Sequence, residues 1–453
     1  MKKRTRSVML PLLVAIACIF TACEKFLDEK TNKALAVPNT VKDLQALLDT
    51  YYLLNESDPS ADEVSAGEFY VTDTDFGTRS ETDQRLYTWQ NSNVLPLQAN
   101  DWYYCYTIIY RANTVLAQMK EVKVTNVNAE SLNNLKGQAC FFRAKAYLQA
   151  VNIWAKGYDA KTAQQDVGIP IRDNINFNEV SKRATLQQNY DFIITDLKAA
   201  IDLLPDKQLH VLRPSKPAAM ALLSRTYLWM GQYEQALHYA TLSLQLKSQL
   251  LDYNTLTATA TYPLSQFNTE VLFASRMLNL PIMALSRAKM SPELYQSYEA
   301  NDLRRTIYYR DNGNGSYGFK GSYDGTSLYF SGLATDEVYL TSAECNARLG
   351  KITEALKDLN TLLKKRYKTG TFIDYTLADQ QAVLQLILKE RRKELVFRGL
   401  RWADIKRLNR DGAGLGLTRV AAGKTYTLPA NSARFAIPIP DNLIEFGIPQ
   451  NQY

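Results

Sequence analysis

Apolar residues recur at three- and four-residue spacing along most of the chain, which is the period of a helix with one buried face. The stretch "NTVKDLQALLDTYYLL" offers Thr40 as an N-cap with Asp43 three residues on, then Leu44, Leu47, Leu48 and Tyr51 along one face. Residues 56–100 lose this period and carry Asp, Ser, Gly and Thr, so a long irregular segment is expected there. A helix resumes at "NDWYYCYTIIYRANTVLAQM", with Trp102, Tyr106, Ile109, Asn113 and Leu116 in register. Another follows at "SLNNLKGQACFFRAKAYLQAVNIW", through Leu135, Ala139, Phe142, Ala146 and Ile153. After a loop containing Gly168 and Pro170, "NYDFIITDLKAAIDLLP" reads as helix and stops at Pro205.

A repeat then emerges. "LLSRTYLWMGQYEQALHYA" and "LTSAECNARLGKITEALKDLN" each end one helix at a glycine, Gly231 or Gly350, and begin another with Ala-Leu at the same spacing. This is the tetratricopeptide pattern. The small Ala236 and Ala355 let paired helices approach closely, and stacked pairs suggest a right-handed helical scaffold. Between the repeats, residues 251–335 are irregular, and residues 308–332 are rich in Gly and Tyr, as expected of loops or short strands inserted into the scaffold. The last periodic stretch, "LILKERRKELVFRGLRWADIKRL", predicts a charged amphipathic helix. Glu394 and Arg398 form an i,i+4 pair there, and Glu390, Glu394 and Asp404 offset the arginines, so a structural charge network is expected.

The first residues follow another rule. "MKKRTRS" is basic, and the 13-residue apolar run "VMLPLLVAIACIF" falls short of the ~20 residues needed to span a bilayer, so a signal peptide over 1–22 is expected. Thr21 and Ala22 before Cys23 resemble a bacterial lipobox, which makes Cys23 the lipid-bearing first residue of the mature chain. Phe20 stands where Leu is usual.

Composition narrows the function. The net charge of +7 includes Lys2, Lys3, Arg4 and Arg6, and falls to +3 without the signal segment, which speaks against nucleic acid. Cys105, Cys140 and Cys345 lie in helical segments at no metal-ligand spacing, and read as free core thiols. "GNGSYG" (Gly313, Gly315, Gly318) lacks the flanking strand and helix of a dinucleotide site and reads as a loop. In "TDTDFG", an EF-hand register from Asp73 finds Gln84 where Glu is needed, so no metal is expected. No G-x-S-x-G, H-E-x-x-H or Cys/His pairing marks a catalytic site, and no cofactor is implied. A glycosidase needs only two facing carboxylates, and a surface glycoside hydrolase is the alternative of another class.

The segments "CEKFLDEK", "FFRAKAYLQAVNIW" with "VGIPI", "YDFIITDLKAAIDLLP", "PSKPAAMALLSRTYLWMGQYEQAL", "ERRKELVFRGLRWADIKRL" and "FAIPIPDNLIE" together resemble the SusD/RagB family of outer-membrane nutrient-binding lipoproteins, in family order across nearly the whole mature chain. The resemblance implies a mainly α fold: a tetratricopeptide-like helical-pair scaffold with irregular loop and short-strand insertions facing the ligand. It divides the mature chain into an N-terminal region, 23–225, and a C-terminal region, 226–453, with the insertion at about 251–335. It implies a lipid anchor on Cys23, exposure at the cell surface, a SusC-like TonB-dependent transporter as partner, and a glycan ligand, with a peptide or another nutrient in the same role as the alternative. Sugars are held by aromatic faces and by Asn, Asp and Arg. Trp102, Trp154, Trp229 and Trp402 lie within helical patterns and read as core, whereas Trp89 lies in the long loop. Tyr70, Asp75, Arg79, Trp89 and Asn93 are the candidates there, and Tyr295, Tyr308, Tyr317 and Tyr323 those of the insertion.

Overall fold

The computed structural model describes residues 38–453. The signal segment and Cys23 lie outside the described residues. The longer helices are α1 (Val41–Leu48), α2 (Asp101–Gln118), α3 (Ala129–Trp154), α4 (Leu186–Leu203), α5 (Lys216–Met230), α6 (Tyr233–Leu246), α7 (Thr335–Arg348), α8 (Ile352–Leu363), α9 (Gln380–Glu394) and α10 (Arg401–Arg410). Short strands are β1 (Phe69–Tyr70), β2 (Val167–Pro170), β3 (Arg183–Thr185), β4 (Val271–Phe273), β5 (Lys289–Met290), β6 (Tyr309–Asp311), β7 (Tyr317–Phe319), β8 (Leu333–Ala334), β9 (Leu417–Ala421) and β10 (Lys424–Leu428). They form antiparallel pairs only: β1–β5, β2–β3, β4–β8, β6–β7 and β9–β10. The fold is mainly α, as the periodicity predicts. No helix among the described residues is long and apolar enough to cross a membrane.

The helices stack in sequence order. α2 packs on α3, α3 on α4, α4 on α5, α5 on α6, α6 on α7, and α7 on both α8 and α9. Local chemistry sets their ends. Thr40 caps α1 by accepting a hydrogen bond from the Asp43 N–H, and Thr185 and Gln188 close a capping box on α4. Gly231 ends α5 at φ +77°, a left-handed conformation that costs glycine nothing. Across this hairpin Ala236 is fully buried, and the Ser224 hydroxyl donates to its carbonyl at 2.7 Å, a contact that a larger side chain would hinder. Residues 225 and 226, where the two expected regions meet, fall inside α5, and one hydrophobic core runs through both.

Two expectations change. The irregular segment 56–100 contains short helices at Ala61–Ser65, Asp73–Gly77 and Glu81–Tyr87, too short for a periodic signal. The charged helix near the C-terminus is two helices, α9 and α10. They are parted by a turn in which Phe397 and Gly399 take φ of +55° and +69°.

The charge network is present but differently wired. Glu394 bonds Arg304 at 2.9 Å and Arg366 at 2.7 Å, while Arg398 turns to Asp336 at 3.1 Å. Arg366 also reaches Glu270 at 2.8 Å, and Arg407 joins Asp404 to Glu344. These groups are fully or nearly fully buried, so each charge depends on its partners. Trp102, Trp154, Trp229 and Trp402 are core, and Cys105, Cys140 and Cys345 are buried free thiols.

Candidate functional site

A cleft of about 1120 Å³ opens along α2, just above the ~300–1,000 Å³ usual for a small-molecule site. Tyr103, Tyr106, Thr107, Tyr110 and Arg111 of α2 line it, together with Tyr52, residues 97–100, the loop 172–181 and Asn442. Several of its rings are open to solvent: Tyr52 is 72% exposed, Tyr103 54% and Phe177 78%. Phe177 reaches across from the loop to Tyr110, with ring centroids 4.8 Å apart. Aromatic faces beside amide groups are the surface on which a pyranose can stack its C–H face while its hydroxyls find polar partners.

The cleft is held by buried polar chemistry. Asn100 caps α2 by accepting from the Tyr103 N–H at 2.9 Å. The Asp101 carboxylate accepts from the Ser60 and Ala61 N–H groups at 2.9 and 2.8 Å, tying the start of α2 to the short helix Ala61–Ser65. Burial pushes the Asp101 carboxyl up to about 6, against the pull of these two donors. Burial likewise lifts its neighbour Asp62 to about 7, helped by the charge of Asp101. Glu63 rises to about 8, chiefly by burial, although its carboxylate accepts from the Gly399 N–H at 2.8 Å.

The loop wall hangs on a relay from the core. Asp196 grips Arg143 through two hydrogen bonds, at 2.7 and 2.8 Å. Arg143 donates to Asn113 at 2.7 Å, and Asn113 donates to the carbonyls of Arg172 and Asn174. The Arg172 guanidinium then binds the Glu179 and Asn176 carbonyls and the Ser181 hydroxyl, closing the loop on itself. The other charged groups of the cleft are also engaged. Glu56 pairs with Arg276 at 2.7 Å, Glu179 accepts from Asn174 at 2.7 Å, and Arg111 donates to Thr50 at 3.3 Å.

The residues singled out from the sequence lie elsewhere. Trp89 is a core residue and offers no stacking face. Its indole N–H donates to the Ser65 carbonyl at 3.0 Å, and the Arg419 guanidinium lies 4.7 Å from its ring. Tyr308 and Tyr323 are likewise buried, each with its hydroxyl bonded to Tyr253. Loop position does not imply exposure when the ring's polar atom has an internal partner.

The remaining candidates are at least partly accessible. Tyr70 pairs with Lys289 across β1–β5, and Lys289 holds Asp75 at 2.8 Å. β7, which carries Tyr317, lies beside β5, and Tyr317 stacks on Tyr295 at 3.5 Å. Arg79 lies near Asp83. The strand pairing thus joins the two candidate segments in one surface patch, but none of these residues lines the cleft. Asn93 sits closer to it, its N–H donating to Asp441, the neighbour of the cleft residue Asn442.

Comparison with known proteins places the fold. Residues 25–228 match a family described as starch-binding and associating with the outer membrane, and residues 333–446 match the SusD family. The chain belongs to the SusD/RagB family. SusD-like protein P2 of Formosa agariphila is 25% identical over 370 residues, covering 68% of this chain and 71% of that protein. A solved structure described as a putative sugar binding protein from Bacteroides vulgatus superposes with a TM-score of 0.75 at 22% identity, covering 92% of this chain and 99% of the other. A SusD superfamily protein from Bacteroides thetaiotaomicron gives 0.69 at 21%, covering 91% and 100%. This SusD/RagB chain therefore shares the helical-pair architecture over nearly its full length.

Proposed function

We propose that this protein is a non-catalytic, lipid-anchored outer-membrane protein that captures an oligosaccharide in the α2 cleft and delivers it to a SusC-like TonB-dependent transporter. The observation that carries the reading is the open cleft, with its solvent-facing rings beside neutral amides. The family description, starch-binding and associating with the outer membrane, supports the ligand class and the location. The carboxylates of Glu56 and Glu179 are already committed to Arg276 and Asn174, an arrangement that suits holding a sugar rather than cleaving it.

Incubation of the protein with a panel of glycans and peptides tests this. Retention without cleavage supports it. Release of shorter products makes the protein a hydrolase, and retention of peptides alone makes it a peptide carrier. The anchor has its own test: Cys23→Ala is expected to abolish membrane retention. Mutant protein that still fractionates with outer membranes without detergent contradicts it.

A further inference from the structure

Tyr103 and Tyr110 stand seven residues apart on α2, so their positions lie about 10 Å apart along the axis and within about 20° of one direction. Both are exposed, and both line the cleft. The residues between them on this face stay lower. Tyr106 is half-buried, stacked on Trp102 at 4.7 Å with its hydroxyl donating to the Pro170 carbonyl at 2.7 Å. Thr107 is also half-buried, its hydroxyl turned back to the Tyr103 carbonyl at 2.7 Å. The helix thus presents two raised rings on a straight line with a shallow saddle between them.

We infer that the cleft selects a neutral glycan whose sugars are joined 1,4 through equatorial bonds; this deepens, and rests on, the reading of the cleft as a glycan site. Such a chain is an extended ribbon. Each sugar is turned over relative to the last, so alternate sugars present the same face, separated by about the two-turn length of a helix. Sugars n and n+2 stack on Tyr103 and Tyr110, and sugar n+1 bridges Tyr106 and Thr107. A chain with axial 1,4 bonds coils, and its alternate sugars leave the line of the two rings.

Two further observations agree. Arg172, Glu56 and Glu179 are each engaged within the protein and Arg111 is bonded to Thr50 at 3.3 Å, so among the described residues the cleft has no cluster of free cations for carboxylate or sulfate groups. Asn442 lines the cleft with its Oδ1 buried and without a partner, so a small turn of this side chain would offer a sugar hydroxyl an acceptor.

The test is calorimetric titration of the detergent-solubilised full chain with cellohexaose, mannohexaose and maltohexaose, and with di- and trisaccharides of the tightest binder. At least one of the two extended hexasaccharides is expected to bind tenfold or more tighter than maltohexaose, since one aromatic contact is worth up to about tenfold. The trisaccharide, which spans both rings, should bind and the disaccharide should not. Tyr103→Ala and Tyr110→Ala should each weaken the hexasaccharide about tenfold with an unchanged melting temperature. Maltohexaose binding as tightly or more tightly, with the same sensitivity to both variants, overturns the linkage preference and leaves the glycan site standing. Binding of none of the saccharides, or binding indifferent to both variants, overturns the glycan reading of the cleft and the preference with it.

Discussion

Six tyrosines of the insertion and two of α2 are the same residue in opposite settings. In the insertion, Tyr253 joins the hydroxyls of Tyr308 and Tyr323, and Tyr323 continues to Glu270. Tyr298 bonds Tyr309 at 2.9 Å and the Lys393 carbonyl at 2.7 Å, while Tyr329 reaches the Met283 carbonyl. Every one of these rings is buried. On α2, Tyr103 and Tyr110 turn to solvent and touch other rings only at their edges or at a tilt. For these six the fold supplies a partner for the hydroxyl and the ring joins the core, whereas Tyr103 and Tyr110 leave an amphipathic surface open to a ligand; Tyr367 is buried without such a partner.

That contrast can be broken from the side of the core first. Arg366→Leu leaves the buried Glu270 without a cationic partner and Glu394 with Arg304 alone, at an expected cost of about 3–5 kcal/mol in unfolding free energy, measured by denaturant titration. Trp89→Ala removes a buried indole and its bond to Ser65, and should cost about 3 kcal/mol or more while the remaining folded protein binds ligand as before. A weakened affinity without loss of stability would return Trp89 to the binding surface. Tyr103→Ala sharpens the contrast from the other side, lowering affinity about tenfold in calorimetry and leaving stability intact.

The last effect is read against pH and concerns the acidic cluster beneath the start of α2. Burial raises Asp62 to about 7 and Glu63 to about 8, so the folded chain holds protons that the unfolded chain releases near pH 4. This contribution is fully present below about pH 4 and is lost as pH rises through about 7 to 8. Glu63→Gln keeps an acceptor for the Gly399 N–H and should flatten the decline of melting temperature between about pH 5 and 8.

The scaffold was legible because its signals are local. Thr40, Gly231 and the buried alanines Ala236 and Ala355 act within a few residues of where they stand. The balance of acids and bases in the last helices was also legible, but not its wiring. Glu394 lies four residues before Arg398 yet bonds Arg304 and Arg366, because the turn at Phe397 and Gly399 ends the helical register.

The candidate site was less legible. Trp89 sits in a loop segment, but its burial depends on Ser65 and Arg419, and no local pattern announces that. The cleft left one readable trace: Tyr103 and Tyr110 fall outside the face of Trp102, Tyr106, Ile109 and Asn113 that packs inward, so large rings occupied the polar side of a helix. The loop 172–181 left none, because the relay from Asp196 through Arg143 and Asn113 exists only in the folded chain.

The central claim is that ligand is held along α2 rather than at the patch of Tyr70, Tyr295 and Tyr317. Calorimetric titration of one retained oligosaccharide against two double variants tests it directly. Tyr103→Ala with Tyr110→Ala is expected to abolish measurable binding, and Tyr295→Ala with Tyr317→Ala to leave it within about twofold of the parent, less than one aromatic contact would cost. Binding lost in the second variant and kept in the first would contradict the account.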